Sequence, residues 1–245
     1  MTAAPVADTT TGHDGVYFGP VELDLLATHA GARFPFPLRV PEFGRIEDER
    51  AVLLAGAGVT LRSRGLAGER GPLGVAAEVI TALRECRGTV DLVLTGWGGA
   101  VGVVAVVYRS WALICRQYLP GDAADGVRIR RVAQNALADE LLAMVPKAEP
   151  VATMPIVIPP GGGEPGPLGE LGVVLPELFG AGQLGATRHG ARAGAELSWL
   201  DGPRGRVRVN IGDDGWLSVN SLRQNELRLA LNNLAMIARR EHDGH

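Results

Sequence analysis

Aromatic side chains are scarce in this sequence, at 5% of 245 residues, so aliphatic side chains must supply most of its core. Long apolar runs are also absent: no stretch of about 18 uncharged apolar residues occurs, and we expect no membrane span. The N-terminal residues lack the cationic start and apolar stretch of a secretion signal. Cys86 and Cys115 have no metal-binding or redox spacing, so we expect reduced thiols in a cytoplasmic protein.

The sequence also has no large excess of positive or negative charge. The formal net charge is −3, and the arginines are scattered among aspartates and glutamates. A nucleic-acid-binding protein usually carries a basic stripe, because phosphate neutralisation dominates its affinity. Residues 47–86 have the pattern of a helix-turn-helix, but the second predicted helix, 73–86, offers only Arg84 to a phosphate. We therefore expect no nucleic-acid partner, and we keep a DNA-binding regulator acting through 47–86 as an alternative.

Catalytic motifs are absent from the sequence. It contains neither a Walker loop nor a G-x-S-x-G nucleophile elbow. The glycines at 96, 98 and 99 join two predicted strands, whereas a nucleotide-binding loop joins a strand to a helix. None of the five histidines has a second ligand at metal-binding spacing. We expect no catalytic residue, no metal site and no cofactor, and we predict that the protein is not an enzyme.

What the sequence does contain is a globular pattern, with 46% apolar residues and 34 glycines, many of them between periodic segments. Residues 1–14 are small and polar and are predicted to form a flexible tail. The segment 147–166 is rich in proline and glycine, which predicts a linker. It separates an N-terminal half, 15–146, from a C-terminal half, 167–240. We expect 15–240 to form one domain.

Apolar periodicity gives each half both helices and a meander of strands. In the N-terminal half it predicts helices at 20–30, 47–64, 73–86 and 133–145, and strands at 16–18, 90–95, 101–109, 111–119 and 127–132. In the C-terminal half it predicts a helix at 168–178 and strands at 182–188, 195–200, 205–211 and 216–219. Ser221 to Gln224 is interpreted as a capping box before a final helix, which buries Leu227, Leu231 and Leu234.

The two halves share the order of their elements, and near their closing helices they share residues. The sequence QNAL at 134–137 matches QNEL at 224–227, and Leu141 then corresponds to Leu231. A repeated unit of this kind is expected to stack its copies around a common core. We therefore predict an α+β fold in which two pseudo-two-fold related halves join their meanders in one central antiparallel β-sheet.

The segment SWLDGPRGR at 198–206, followed by GWLSV at 215–219, resembles the C-terminal signature of the EspG family. The segments VELDL at 21–25 and RGL at 64–66 are similar to that family too, and the resemblance extends over 16–237. It implies an EspG-like fold, in which a central antiparallel sheet is combined with two helical bundles.

The resemblance also implies a function. EspG proteins are cytosolic chaperones of type VII (ESX) secretion in mycobacteria and related actinobacteria. By this resemblance the protein would bind the apolar helical tip of a PE–PPE-like secreted heterodimer, keep it soluble, and pass it to the type VII secretion machinery. Such a task needs a groove with apolar walls and a polar rim. A non-enzymatic small-molecule or regulatory binding module on the same scaffold is the alternative.

The candidate partner-binding residues lie beside the second half of the predicted sheet: Trp97, Gln183, Thr187, Arg188, Arg204 and Arg206. Two departures from the family pattern bear on this site. The chain is short for the family, and the turn at 96–99 is brief where better-known members have a longer loop that contributes to partner binding. Both differences are consistent with a different client.

Overall fold

A computed structural model describes residues 15–96, 98–119, 125–161 and 177–239. In the first half, a short strand and three helices precede a four-stranded meander and a closing helix. The elements are β1 Val16–Phe18, α1 Pro20–Ala30, α2 Glu47–Ser63, β2 Ala67–Gly68, β3 Gly71–Pro72, α3 Val75–Arg84, β4 Gly88–Gly96, β5 Gly99–Tyr108, β6 Trp111–Tyr118, β7 Val127–Ala133, a 3-10 turn Gln134–Ala136 and α4 Leu137–Leu142.

The second half repeats this order with a shorter insertion after its first strand. Its elements are β8 Ile156–Ile158, β9 Gly180–Arg188, β10 Ala191–Arg192, β11 Leu197–Gly202, β12 Gly205–Ile211, β13 Leu217–Ser221 and α5 Gln224–Arg239. The predicted helices and strands at these positions are confirmed, with boundary shifts of a few residues.

Within the described ranges, eleven strands form one antiparallel sheet in the order β1-β7-β6-β5-β4-β9-β11-β12-β13-β8, with β10 paired to β9 outside that path. The two meanders meet where β4 pairs with β9, and Leu92 lies opposite Leu184 at this junction. The strands β2 and β3 form a separate small hairpin. The predicted single antiparallel sheet is therefore confirmed.

The pairing registers relate the two halves residue by residue. One row of paired residues crosses the first half, and a matching row crosses the second. The first row is Asp91, Val104, Cys115, Ile129 and Val16, and the second is Gln183, Ser198, Val209, Val219 and Ile156. Five residues after Ile129 comes Gln134, and five after Val219 comes Gln224. The structural repeat thus coincides with the QNAL and QNEL match.

Helices cover the two sides of the sheet differently. On one side, α1 and α3 pack with Val104 and Cys115, and we call this side of the whole sheet the bundle face. On the other side α4 and α5 pack together over Leu92, which lies at the centre of the sheet. Each helix buries one apolar stripe, as amphipathic helices do. Among the described residues, no helix is both long enough and apolar enough to cross a membrane.

Two local expectations are wrong. The segment 147–166 was expected to be a linker, but β8 lies within it and pairs with β13, and Val151 is 4% exposed. Prolines flank β8, and they are tolerated there because it is an edge strand. The capping box predicted from Ser221 is wrong because β13 ends at that residue. Instead the Arg223 N–H donates to Glu226 Oε2 at 2.7 Å. The helix predicted at 168–178 falls almost wholly outside the described residues.

The helix-turn-helix alternative is not supported by the packing of α3. Its residues Ala76, Val79 and Leu83 are at most 7% exposed, and the helix contacts β5, β6 and β7. The hairpin of β2 and β3, rather than a tight turn, separates it from α2. A recognition helix must present its side chains to the major groove. With its apolar side on the sheet and one arginine in its last turn, α3 does not meet that need.

Candidate partner-binding surface

A shallow groove of about 290 Å³ lies on the bundle face where β4, β9, β11 and β12 run side by side. Side chains from these strands form its floor, and all of them are only partly buried. We call this surface the open sheet face, and it is formed by Val93, Gln183, Ser198, Leu200 and Val209. It is mainly aliphatic, with one amide and one hydroxyl near its centre.

The two halves differ in the length of chain that joins their first two equivalent strands. In the first half, residues 19–87 lie between β1 and β4, 69 residues that include α1, α2 and α3. In the second half, the equivalent strands β8 and β9 are joined by residues 159–179, which are only 21 residues. On the bundle face of the second half, Val207 and Val219 are buried with Val151, whereas Leu200 and Val209 are only partly buried.

A polar cluster borders the open sheet face. The Gln183 side-chain amide donates to Glu196 Oε2 at 2.9 Å, and Arg192 Nε donates to Glu196 Oε1 at 2.6 Å. Arg192 also pairs with Asp91 on β4. Its guanidinium passes directly over Gly185, where a β-carbon would collide with it. The glycine thus provides the space through which the two halves are joined by an ion pair.

Asp91 is the buried member of this cluster, at 1% exposure. Its Oδ1 has no hydrogen-bond partner among the described residues. Burial raises the pKa of the Asp91 carboxyl above its ordinary value, although the contact with Arg192 opposes that shift. The pair therefore holds Arg192 in place on the edge of the open sheet face at an electrostatic cost.

The partner-binding residues predicted from the sequence do not all lie on one side of the sheet. Gln183 is on the open sheet face, and Thr187 lies on the same side of β9, opposite Thr89 of β4. Arg188 is next in the strand, so its side chain belongs to the side covered by α5. Arg204 is exposed in the turn between β11 and β12.

The remaining two candidates are Arg206 and Trp97. Arg206 is 0% exposed and forms a bidentate ion pair with Asp201, at 2.7 and 2.9 Å. Its guanidinium also lies 5.4 Å from the centre of the Trp199 ring. We therefore assign Arg206 to the core instead of the surface. Trp97 lies outside the described residues.

Sequence reasoning missed Asp91, Arg192 and Glu196 as members of the site. A usable signal was present, because Asp91 is an acidic residue inside an otherwise apolar strand, TVDLVL. Such a residue needs a cationic partner when it is buried. The partner, 101 residues away in the chain, could not be found without the pairing of β4 and β9.

Two larger hollows are less suited to a partner. One of about 610 Å³ lies beside α1, but its buried carboxylate, Asp24, is already bound to both guanidinium nitrogens of Arg50 and to the Phe43 N–H. Another of about 550 Å³ runs along α5 and is lined by Leu229 and Met236. Among the described residues no group of acidic, His or Cys side chains is placed to hold a metal ion.

A broad, shallow and mostly aliphatic surface with polar groups at its border defines a class, the proteins that bind other proteins. The particular family follows from comparison with known proteins. Residues 20–233 match the EspG family, and the chain belongs to it.

The fold also resembles a solved structure. It is similar to a chain in the structure of the Mycobacterium tuberculosis type VII secretion system chaperone EspG5 in complex with a PE25–PPE41 dimer. The TM-score is 0.63 at 14% sequence identity, and the match covers 90% of this chain and 95% of that one. No curated protein sequence matches this chain.

Proposed function

We propose that this protein is a cytoplasmic chaperone of type VII secretion that binds the apolar helical tip of a PE–PPE-like heterodimer and keeps the pair soluble for export. Membership of the EspG family supports this function. So does the similarity to EspG5, whose solved structure includes a PE25–PPE41 dimer. Binding and release of a folded client need no catalytic group.

The open sheet face is the observation that carries the proposal. Leu200 and Val209 are only partly buried, although their strands, β11 and β12, are paired on both sides. Aliphatic surface exposed to water is costly, and covering it with an apolar partner is favourable. Gln183 and Ser198 add hydrogen-bonding groups that can meet polar atoms of a client.

The position of each candidate residue in the fold decides whether it is proposed as a contact. Gln183 and Thr187 are on the bundle face of β9, and Arg204 is exposed in the turn between β11 and β12. Trp97, outside the described residues, and Arg188, on the side of the sheet covered by α5, remain proposed contacts on the resemblance alone. Arg206 leaves the contact set because its guanidinium is enclosed by Asp201 and Trp199.

Co-expression tests the proposal. The protein is produced with PE–PPE-like pairs encoded near its gene, and we expect one pair to co-elute with it in size-exclusion chromatography. In the Leu200→Asp and Val209→Asp variants we expect binding to weaken by more than tenfold, because burying an unpaired carboxylate costs several times the ~1.4 kcal/mol of one such factor.

The matched control is Leu229→Asp. Leu229 is 60% exposed and lies on α5, on the opposite side of the sheet. This variant should bind the client as the unmodified protein does, and all three should keep a cooperative thermal transition. Absence of co-elution with every neighbouring pair would count against the chaperone function itself.

A further inference from the structure

We propose that two copies of this protein associate through α2, with the two helices antiparallel and in contact at Ala55 and Gly56. This inference goes beyond the proposed function, because it concerns a surface of the first half and needs no client. It rests on exposed apolar side chains along α2 and on the charges at the two ends of that line of side chains.

The helix α2 carries apolar residues on two opposite sides. On one side Ala57 and Leu61 are 6% and 1% exposed, and the helix packs there against α1. On the other side Val52 and Val59 are 72% and 58% exposed. These valines are seven residues apart, close to two helical turns, so they lie in one line along the helix. A helix at the surface of a globular protein ordinarily carries polar groups on that side. Covering the valines with a partner is therefore favourable.

Small residues lie between the two valines. Ala55 and Gly56 come three and four positions after Val52, so they are on the same side of the helix, and both are exposed. A β-carbon on Gly56 would meet no atom within 4 Å. Because the distance between packed helices depends on the side chains at their contact, small residues here let a second helix approach closely. We call this side of α2 the valine stripe.

The charges of α2 favour a second copy as the partner. No charged residue occurs from 51 to 61. Asp48 lies four residues before Val52, and Arg62 lies three residues after Val59, so the valine stripe begins with an exposed acid and ends with an exposed base. In an antiparallel pair, Asp48 of each copy meets Arg62 of the other. The same surface is thus complementary to itself, as a two-fold symmetric interface requires.

The spacing within the valine stripe also gives the register of the pair. If the two-fold axis passes between Ala55 and Gly56, Val52 of one copy lies opposite Val59 of the other. The acidic end of one stripe then lies within one residue of the basic end of the other. One helix from each copy makes a small interface, and small interfaces are typical of weak complexes. We therefore expect a dissociation constant in the micromolar range.

Sedimentation velocity of the purified protein tests this association. We expect a monomer at about 1 μM and a growing fraction of dimer up to about 300 μM. Val52→Asp and Val59→Asp should each weaken the dimer by more than tenfold, because the two-fold axis brings two unpaired carboxylates into one interface. The matched control is Leu229→Asp on α5, where Leu229 is also an apolar helix residue, 60% exposed. It should dimerise as the unmodified protein does, and all variants should keep a cooperative thermal transition.

Charge exchange tests the antiparallel orientation. Asp48→Arg or Arg62→Glu alone brings like charges together at both ends of the interface, and each variant should dimerise about tenfold more weakly at low salt. When the two variants are mixed in equal amounts, every facing pair in the heterodimer again has opposite charges. Dimer formation should therefore return in the mixture, and also in the double variant that carries both changes.

Three results would overturn the inference. The first is a protein that stays monomeric at every concentration. The second is a dimer that Val52→Asp and Val59→Asp leave unchanged, because its interface then lies elsewhere. The third is a mixture of the charge variants that stays monomeric, which contradicts the antiparallel pairing. All of these measurements are made without a client. Failure to co-elute with any PE–PPE-like pair would thus count against the proposed function and leave this inference standing.

Discussion

Arg206 and Asp201 form an ion pair in which neither side chain reaches solvent. Arg206 Nε donates to Asp201 Oδ1 at 2.7 Å, and Nη2 donates to Oδ2 at 2.9 Å. The same Nη2 donates to the carbonyl of Pro146 at 2.9 Å. The pair thus fastens the hairpin of β11 and β12 to the segment that follows α4, and so joins the two halves of the fold.

Replacement of Arg206 is expected to destabilise the protein strongly. In Arg206→Met the Asp201 carboxylate stays buried without its partner, and the free energy of unfolding should fall by about 3–5 kcal/mol. Urea unfolding followed by far-UV circular dichroism measures the change. The control is Arg204→Met in the exposed turn of the same hairpin, which should change the free energy by less than about 0.5 kcal/mol. Equal losses in the two variants would contradict the assignment of Arg206 to the core.

The motif around this pair shows what the sequence could predict. The residues DGPRGR identified a strand, a turn and a strand, and the alternation of Val207 and Val209 placed β12 correctly. The position of Arg206 was predicted wrongly as surface, because an arginine in a strand is ordinarily solvated. Its burial depends on Asp201 and on the carbonyl of Pro146, which lies 60 residues away in the chain.

The second prediction concerns a pair of core positions at which the two halves pack side chains of different sizes. Gly182 lies opposite Trp199 in the second half, and the equivalent pair in the first half is Val90 and Ala105. A β-carbon on Gly182 would overlap the indole of Trp199. We expect Gly182→Ala to reduce stability by about 1–3 kcal/mol, as overpacked cores do.

The control for that prediction is another glycine-to-alanine change. Gly56 lies in α2, and a β-carbon there meets no atom within 4 Å. Gly56→Ala should raise the free energy of unfolding by up to about 1 kcal/mol, because alanine is a better helix former than glycine. Differential scanning calorimetry of both variants should show melting temperatures shifted in opposite directions.

The two cysteines should react very differently. Cys86 is exposed, and Cys115 is 1% exposed on the covered part of the bundle face. Burial raises the pKa of the Cys115 thiol to about 12, so almost no thiolate is present at neutral pH. We expect Ellman's reagent at about pH 8 to modify Cys86 alone in the native protein, and both thiols after unfolding. Rapid reaction of Cys115 in the native protein would show that α1 and α3 do not cover it.

The open sheet face could be predicted only in part. The sequence correctly indicated the second half of the sheet, and Gln183 lies on the surface in question. Ser198, Leu200 and Val209 alternate in their strands as any half-buried residues do, so their exposure had no separate signal. It becomes visible only when the strand registers place these residues side by side on one surface.

The ion pair of Asp91 and Arg192 leads to a prediction about pH. Burial raises the pKa of the Asp91 carboxyl in the folded protein above its unfolded value of about 3.9. The folded state therefore takes up the proton more readily than the unfolded state. The stability that this protonation contributes is fully present below the unfolded pKa, and it is lost as the pH rises through the folded pKa.

Asp91→Asn removes this titration. The variant should therefore gain stability relative to the unmodified protein as the pH rises from about 4 to about 7, even though it also loses the charge that holds Arg192. Urea unfolding of both proteins across this range measures the difference, with Asp213→Asn in an exposed turn as the control. If the difference in free energy of unfolding between the two proteins does not change with pH, or changes in the opposite direction, the attraction of Arg192 offsets the burial of Asp91. The ion pair would then stabilise the border of the open sheet face without an electrostatic cost.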